Sequence, residues 1–122
     1  MSVAIWIAAG ACGGLGALGR AVVDLAMGRA AGAGFPYGIA VANLTGALAA
    51  GLIVGAVDSV EAEFVIAGGF LSGYTTFSTW MLDTMVLWRD RRRLEATVNL
   101  AGSLVLGLAL AAAGWTIARG MF

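Results

Sequence analysis

The sequence predicts an all-α membrane protein with four transmembrane helices per subunit, the third either broken mid-membrane or kinked there. Three observations carry that prediction. Hydrophobic residues make up 61% of the 122 residues and charged ones 11%, against roughly 25% charged in soluble domains, and mean hydropathy is +0.93. A span needs about 20 mostly apolar residues. The chain offers four such stretches within one small domain, at residues 3–23, 38–57, 64–88 and 96–117. The third carries Gly68-Gly69-Phe70-Leu71-Ser72-Gly73-Tyr74-Thr75-Thr76 in its middle, a concentration of weak helix formers.

The first span contains Gly10, Gly13, Gly14, Gly16 and Gly19, small residues whose spacing lets helix backbones approach closely. Its start, Met1-Ser2-Val3-Ala4-Ile5-Trp6, has no basic n-region, so no cleavable signal peptide is expected. Arg20 closes the span. It is either a functional group within the membrane or a snorkelling anchor at the membrane surface, for which Asp24 one turn on is a candidate partner. A loop of Gly, Ala and Arg29 then leads to Phe35-Pro36-Tyr37, an interfacial aromatic and helix-start signal. In the second span Asn43 needs a partner, because lipid supplies none. It either joins two helices or offers N–H donors to a permeating anion.

An acidic loop, Asp58, Glu61 and Glu63, precedes the third span, and a basic one, Arg89-Asp90-Arg91-Arg92-Arg93, follows it. On the fourth span Asn99, Ser103 and Gly107 recur at i, i+4 and i+8, one face of an α-helix. In the third span two readings stand. A mid-membrane break exposes carbonyls and N–H groups that can build an ion site. Alternatively the helix is kinked, with its Ser and Thr hydroxyls bonded back to their own turn.

Several chemistries are excluded. The chain has no His and a single Cys, so the commonest general base and any disulfide framework are missing. No nucleophile–base set, phosphate loop or carboxylate pair lies within a span, which argues against an enzyme. The polar residues within the spans are mostly neutral donors, and only Asp83, late in the third, is a deep carboxylate. That balance suits a passive path for a small anion. Phe77 and Trp80 can add positive ring edges, although two aromatics three apart also pack ordinarily.

Gly13-Gly14-Leu15-Gly16-Ala17-Leu18-Gly19-Arg20, Pro36-Tyr37-Gly38-Ile39-Ala40-Val41-Ala42-Asn43-Leu44-Thr45-Gly46, and the run from Gly69 to Thr79 follow one another over most of the chain. Together they resemble the Fluc/CrcB family of fluoride channels, the third motif with Thr75-Thr76-Phe77-Ser78-Thr79 being the most specific. The resemblance implies an antiparallel dimer in the cell's inner (plasma) membrane, passing fluoride out of the cytoplasm and relieving its toxicity. It also implies a structural sodium ion at the dimer centre, held by main-chain carbonyls of Ser72 and Thr75 from both subunits. By the same resemblance Asn43, Thr76, Phe77, Trp80, Asn99 and Ser103 lie along the fluoride pathway, with Arg20 at its vestibule. The chain departs from the family at Ser72 (usually Gly), Ile39 (usually Thr) and Trp80 (usually Phe), the last bringing an indole N–H that can donate.

Two other functions fit a small four-helix chain. A multidrug or cation antiporter needs a carboxylate in the first span, and none occurs between Met1 and Arg20. A non-transporting anchor subunit leaves Asn43, the broken segment and the 99/103 pair unexplained. The expected partners are fluoride, membrane lipid and a second subunit, either this chain or a similar one of opposite topology, with no nucleic acid. Charge placement bears on that choice: Arg29, Arg89, Arg91, Arg92 and Arg93 share one side and only Arg119 marks the other. By the positive-inside rule the arginine-rich side is cytoplasmic.

Overall fold

In a computed structural model of the chain, residues 1–31 and 34–121 are described. Helix α1 is Val3–Ala31 and α2 is Tyr37–Ala56. Residues 60–74 form a continuous helical run, α3, made of Val60–Glu63, a π-helical stretch Phe64–Leu71, and Ser72–Tyr74. Helix α4 is Ser78–Arg89. The last run, α5, joins Arg93–Thr97, a π-helical turn Val98–Gly102, and Ser103–Met121. No strand occurs among the described residues. Three helices, Val3–Met27, Tyr37–Ala56 and Arg93–Met121, are long and apolar enough to cross a membrane. With the α3–α4 segment they make an all-α, multi-pass membrane protein.

Helix boundaries follow local chemistry. Pro36 stands at the N-terminus of α2, where a missing N–H costs nothing. The Ser59 hydroxyl accepts the N–H of Ala62 at 3.3 Å, and Glu61 and Glu63 occupy the first turn of α3, where negative charge meets the positive helix end. The two glutamates expected in a loop therefore belong to a helix start. The stretch around Arg29, also expected as a loop, continues α1 to Ala31; the Arg29 side chain lies outside those described. Helix α4 ends in a Schellman motif: Arg92 N–H donates to the Leu87 carbonyl at 2.9 Å and Arg91 N–H to the Trp88 carbonyl at 3.1 Å. Arg91 takes the left-handed position at φ 63°.

Packing rests on backbone approach. Gly16 of α1 abuts the Phe70 carbonyl, Gly73 of α3 abuts the Gly13 carbonyl, and Gly69 abuts Ala9. Between α2 and α5, Gly51 lies against the Ala111 carbonyl and Gly114 against that of Leu48. A methyl group at any of these would collide with main chain. Small residues thus let both helix pairs close in a medium that gives no hydrophobic drive between helices. Gly10 and Gly14 meet nothing within 4 Å and play no such part here.

Candidate functional site

The site forms where α3 stops. Thr75 is extended at φ −87°, ψ 159°, and α4 resumes only at Ser78. In a continuing helix the Thr76 N–H would close onto the Ser72 carbonyl. It donates instead to Asn43 Oδ1 at 2.8 Å, while Asn43 Nδ2 donates to the Thr76 carbonyl at 2.9 Å. One side chain of α2 therefore satisfies both backbone groups of a residue that is only 9% exposed, the requirement for non-helical backbone away from water. The Thr76 hydroxyl accepts the Thr79 N–H at 3.3 Å, taking up a first-turn donor of α4.

The side chains around the interruption turn back on their own helix. The Ser72 hydroxyl donates to the carbonyls of Gly68 and Gly69, and the Thr75 hydroxyl to that of Leu71 at 3.0 Å. Arg20 donates through Nη1 to the Thr75 carbonyl at 3.3 Å. It forms no ion pair with Asp24 among the described residues. No group of three or more His, Cys, Asp or Glu among the described residues is placed to hold a metal ion. A cation here would rest on main-chain oxygens.

Asn43, Thr75, Thr76, Phe77, Trp80 and Ser103 line an open cavity of about 220 Å³. A second cavity of about 340 Å³ shares Asn43 and Thr75 and continues along Gly46, Ala67, Leu71 and Ser72. Phe77 and Trp80 meet edge to face, their ring centroids 5.8 Å apart at 85°, and Phe77 is 70% exposed. The structure thus gathers five of the six residues expected along the pathway into one lining.

Asn99 is the sixth, and it is elsewhere. It is 2% exposed, its carbonyl accepts the Trp80 indole N–H at 2.8 Å, and its Nδ2 donates to Thr84 Oγ1 at 2.9 Å. The turn at Val98–Gly102 is π-helical, and Asn99 is taken up by Trp80 and Thr84 of α4 while Ser103 lines the cavity. The indole N–H, expected as a possible donor to the site, is already engaged. Ile39 is a core residue, 5% exposed. Two contributors were not singled out from sequence: Thr84, whose signal is its place one turn after Trp80, and Tyr74, whose hydroxyl lies 3.0 Å from that of Thr45 and ties α3 to α2.

Residues 7–115 match the model of the family described as CrcB-like protein, Camphor Resistance (CrcB). Among similar proteins, the fluoride-specific ion channel FluC 2 of Mycobacterium tuberculosis (strain CDC 1551 / Oshkosh) is 42% identical over 119 residues, covering 98% of this chain and 94% of that protein. The fluoride-specific ion channel FluC of Paracoccus denitrificans is 38% identical over 113 residues, covering 90% of each. The fluoride-specific ion channel FluC 1 of Symbiobacterium thermophilum is 38% identical over 120 residues, covering 90% of this chain and 97% of that protein.

Proposed function

The chain belongs to the CrcB-like family, and from that membership we propose that it is a fluoride-selective passive channel that releases fluoride from the cytoplasm and so relieves its toxicity. The observation that carries this reading is the cavity at the helix interruption, whose six lining residues include three hydroxyl side chains and one amide but no ionisable group. A small, strongly hydrated anion gives up water only where fixed donors replace it. Asn43 has two amide protons; one is held by Thr76, leaving the other for an ion. Ser103, Phe77 and Trp80 also line the cavity, and an aromatic ring edge can face an anion. The path runs by Asn43, Thr76, Phe77, Trp80 and Ser103, with Asn99 directly behind Trp80 and Arg20 beside the break as a fixed positive charge. The two cavities meeting at Asn43 and Thr75 support a route past that point.

We read the interruption at residues 75–77 as a mid-membrane break and as the meeting point of two antiparallel subunits. Two features support this. Ser72 and Phe77 are exposed at the break, and a cavity of about 490 Å³ lined by Gly10, Gly13, Gly68, Gly69, Ser72 and Gly73 opens beside it. A structural sodium ion fits this place. The Ser72 carbonyl has lost the Thr76 N–H to Asn43, and the extended backbone of Thr75 turns its carbonyl out of helical pairing, where Arg20 Nη1 reaches it at 3.3 Å. Unwound carbonyls of this kind suit sodium. Ser72 and Thr75 would hold it with their counterparts in a second subunit, and the ion would supply a fixed charge joining the two. The partner is a second copy of this chain or a similar chain inserted the other way.

Expression of the chain in a fluoride-sensitive bacterial strain tests the physiological reading. Growth should be restored on fluoride medium and not by Asn43→Asp; equal sensitivity with and without the wild-type chain would contradict it.

A further inference from the structure

Trp80 has one hydrogen-bond donor, its indole N–H, and it is fixed outside the lining. It reaches the Asn99 carbonyl at 2.8 Å. The π-helical turn of α5 makes that acceptor available. In an α-helix the N–H of Ser103 would take the Asn99 carbonyl, whereas here it donates to Leu100. A second connection closes a ring of hydrogen bonds between α4 and α5. Asn99 Nδ2 donates to Thr84 Oγ1 at 2.9 Å, and the Thr84 hydroxyl donates to the Trp80 carbonyl at 2.9 Å. Asn99 is almost wholly buried, so its amide has no water to exchange partners with. Trp80 also lines the cavity, and its ring and that of Phe77 meet edge to face.

We propose that Asn99 and Thr84 are positioning residues that hold the Trp80 indole as a fixed wall of the anion path, so that Trp80 acts through its ring and not through its N–H. The proposal rests on the channel reading above. An indole released from Asn99 can rotate into the cavity that it now borders, and that cavity is only about 220 Å³. The arrangement is specific to this side chain, because a phenylalanine at position 80 has no N–H for Asn99 to hold.

The test is a double-mutant cycle read by fluoride efflux from proteoliposomes, joined to exchange of the Trp80 indole proton by NMR on ¹⁵N-tryptophan-labelled channel. Thr84→Val removes both hydrogen bonds of the Thr84 hydroxyl; freeing the Asn99 amide should slow efflux about tenfold, equivalent to about 1.4 kcal/mol, and speed indole exchange. Thr84→Ser should restore both. In a Trp80→Phe background, whatever baseline that variant sets, Thr84→Val should have no further effect. Equal slowing by Thr84→Val in both backgrounds would overturn the proposal, because Thr84 would then matter without the indole. If Thr84→Val does not fold, a fast-exchanging Trp80 indole proton in the wild-type channel overturns it. Failure of the wild-type chain to pass fluoride would instead sink the channel reading, and the exchange data would still report on the hydrogen-bonded ring.

Discussion

At the scale of single residues, Asn43 does two things at once. Its amide pairs with both backbone groups of Thr76, and Asn43 also lines the cavity. Asn43→Ala leaves the Thr76 N–H and carbonyl without partners, a loss of about 1–3 kcal/mol. Asn43→Asp also sets a carboxylate oxygen against the Thr76 carbonyl and repels an anion. Both variants should therefore slow fluoride efflux by at least about tenfold at 1.4 kcal/mol or more, with Asp the more severe; efflux at the wild-type rate in both would remove Asn43 from the path. Asn43 stood out in the sequence because a polar amide in an apolar span needs a partner. Which partner it takes was not visible there, because the partner is main chain and its position depends on where α3 stops. Trp80 shows the same limit: the indole N–H was apparent, its engagement by Asn99 was not.

At the scale of elements, the helices were apparent from hydropathy and the two π-helical stretches were not. The π-turn of α5 accompanies a tertiary contact, the Trp80–Asn99 bond, which residue types do not disclose. The helix ends carry clearer chemistry. Arg91 occupies the left-handed position of the Schellman motif at φ 63°, where a side chain costs about 1–2 kcal/mol relative to Gly. Arg91→Gly should therefore raise the unfolding midpoint of the detergent-solubilised protein, by an amount corresponding to about 1 kcal/mol after the added backbone entropy of Gly. An unchanged or lowered midpoint would show that the guanidinium contributes more than the strain it imposes. The close helix pairs act in the other direction. Gly16→Ala places a methyl against the Phe70 carbonyl and Gly51→Ala one against that of Ala111. Each should destabilise by about 1–3 kcal/mol, the usual cost of overpacking, and a midpoint equal to wild type would mean that the helices can separate freely.

At the scale of the whole molecule, two arginine–tryptophan pairs lie near helix ends. The Arg93 guanidinium sits 4.9 Å from the Trp88 ring, and that of Arg119 sits 5.8 Å from the Trp115 ring, pairs suited to the interface. Arginine excess lies at the Trp88 end, in Arg89, Arg91, Arg92 and Arg93. A reporter fused to the C-terminus, and cysteine labelling near Arg91 and Arg119, should accordingly find the C-terminus outside and the Arg91 loop inside. A one-sided result would require the antiparallel partner to be a different chain or a minority of this one, and equal labelling from both sides would establish a dual-topology homodimer. The motif order along the chain and the polar residues in the spans were enough to anticipate most of the cavity lining. Asn99 is not in that lining; it is engaged by Trp80 and Thr84, tertiary partners that residue spacing does not disclose. The account as a whole stands on conduction. Purified protein should be reconstituted into liposomes loaded with fluoride or chloride, and efflux followed with ion-selective electrodes after the membrane potential is released. Fluoride should leave rapidly without a proton gradient while chloride is retained; fluoride efflux no faster than from protein-free liposomes, or equal efflux of both anions, would contradict a fluoride-selective passive channel.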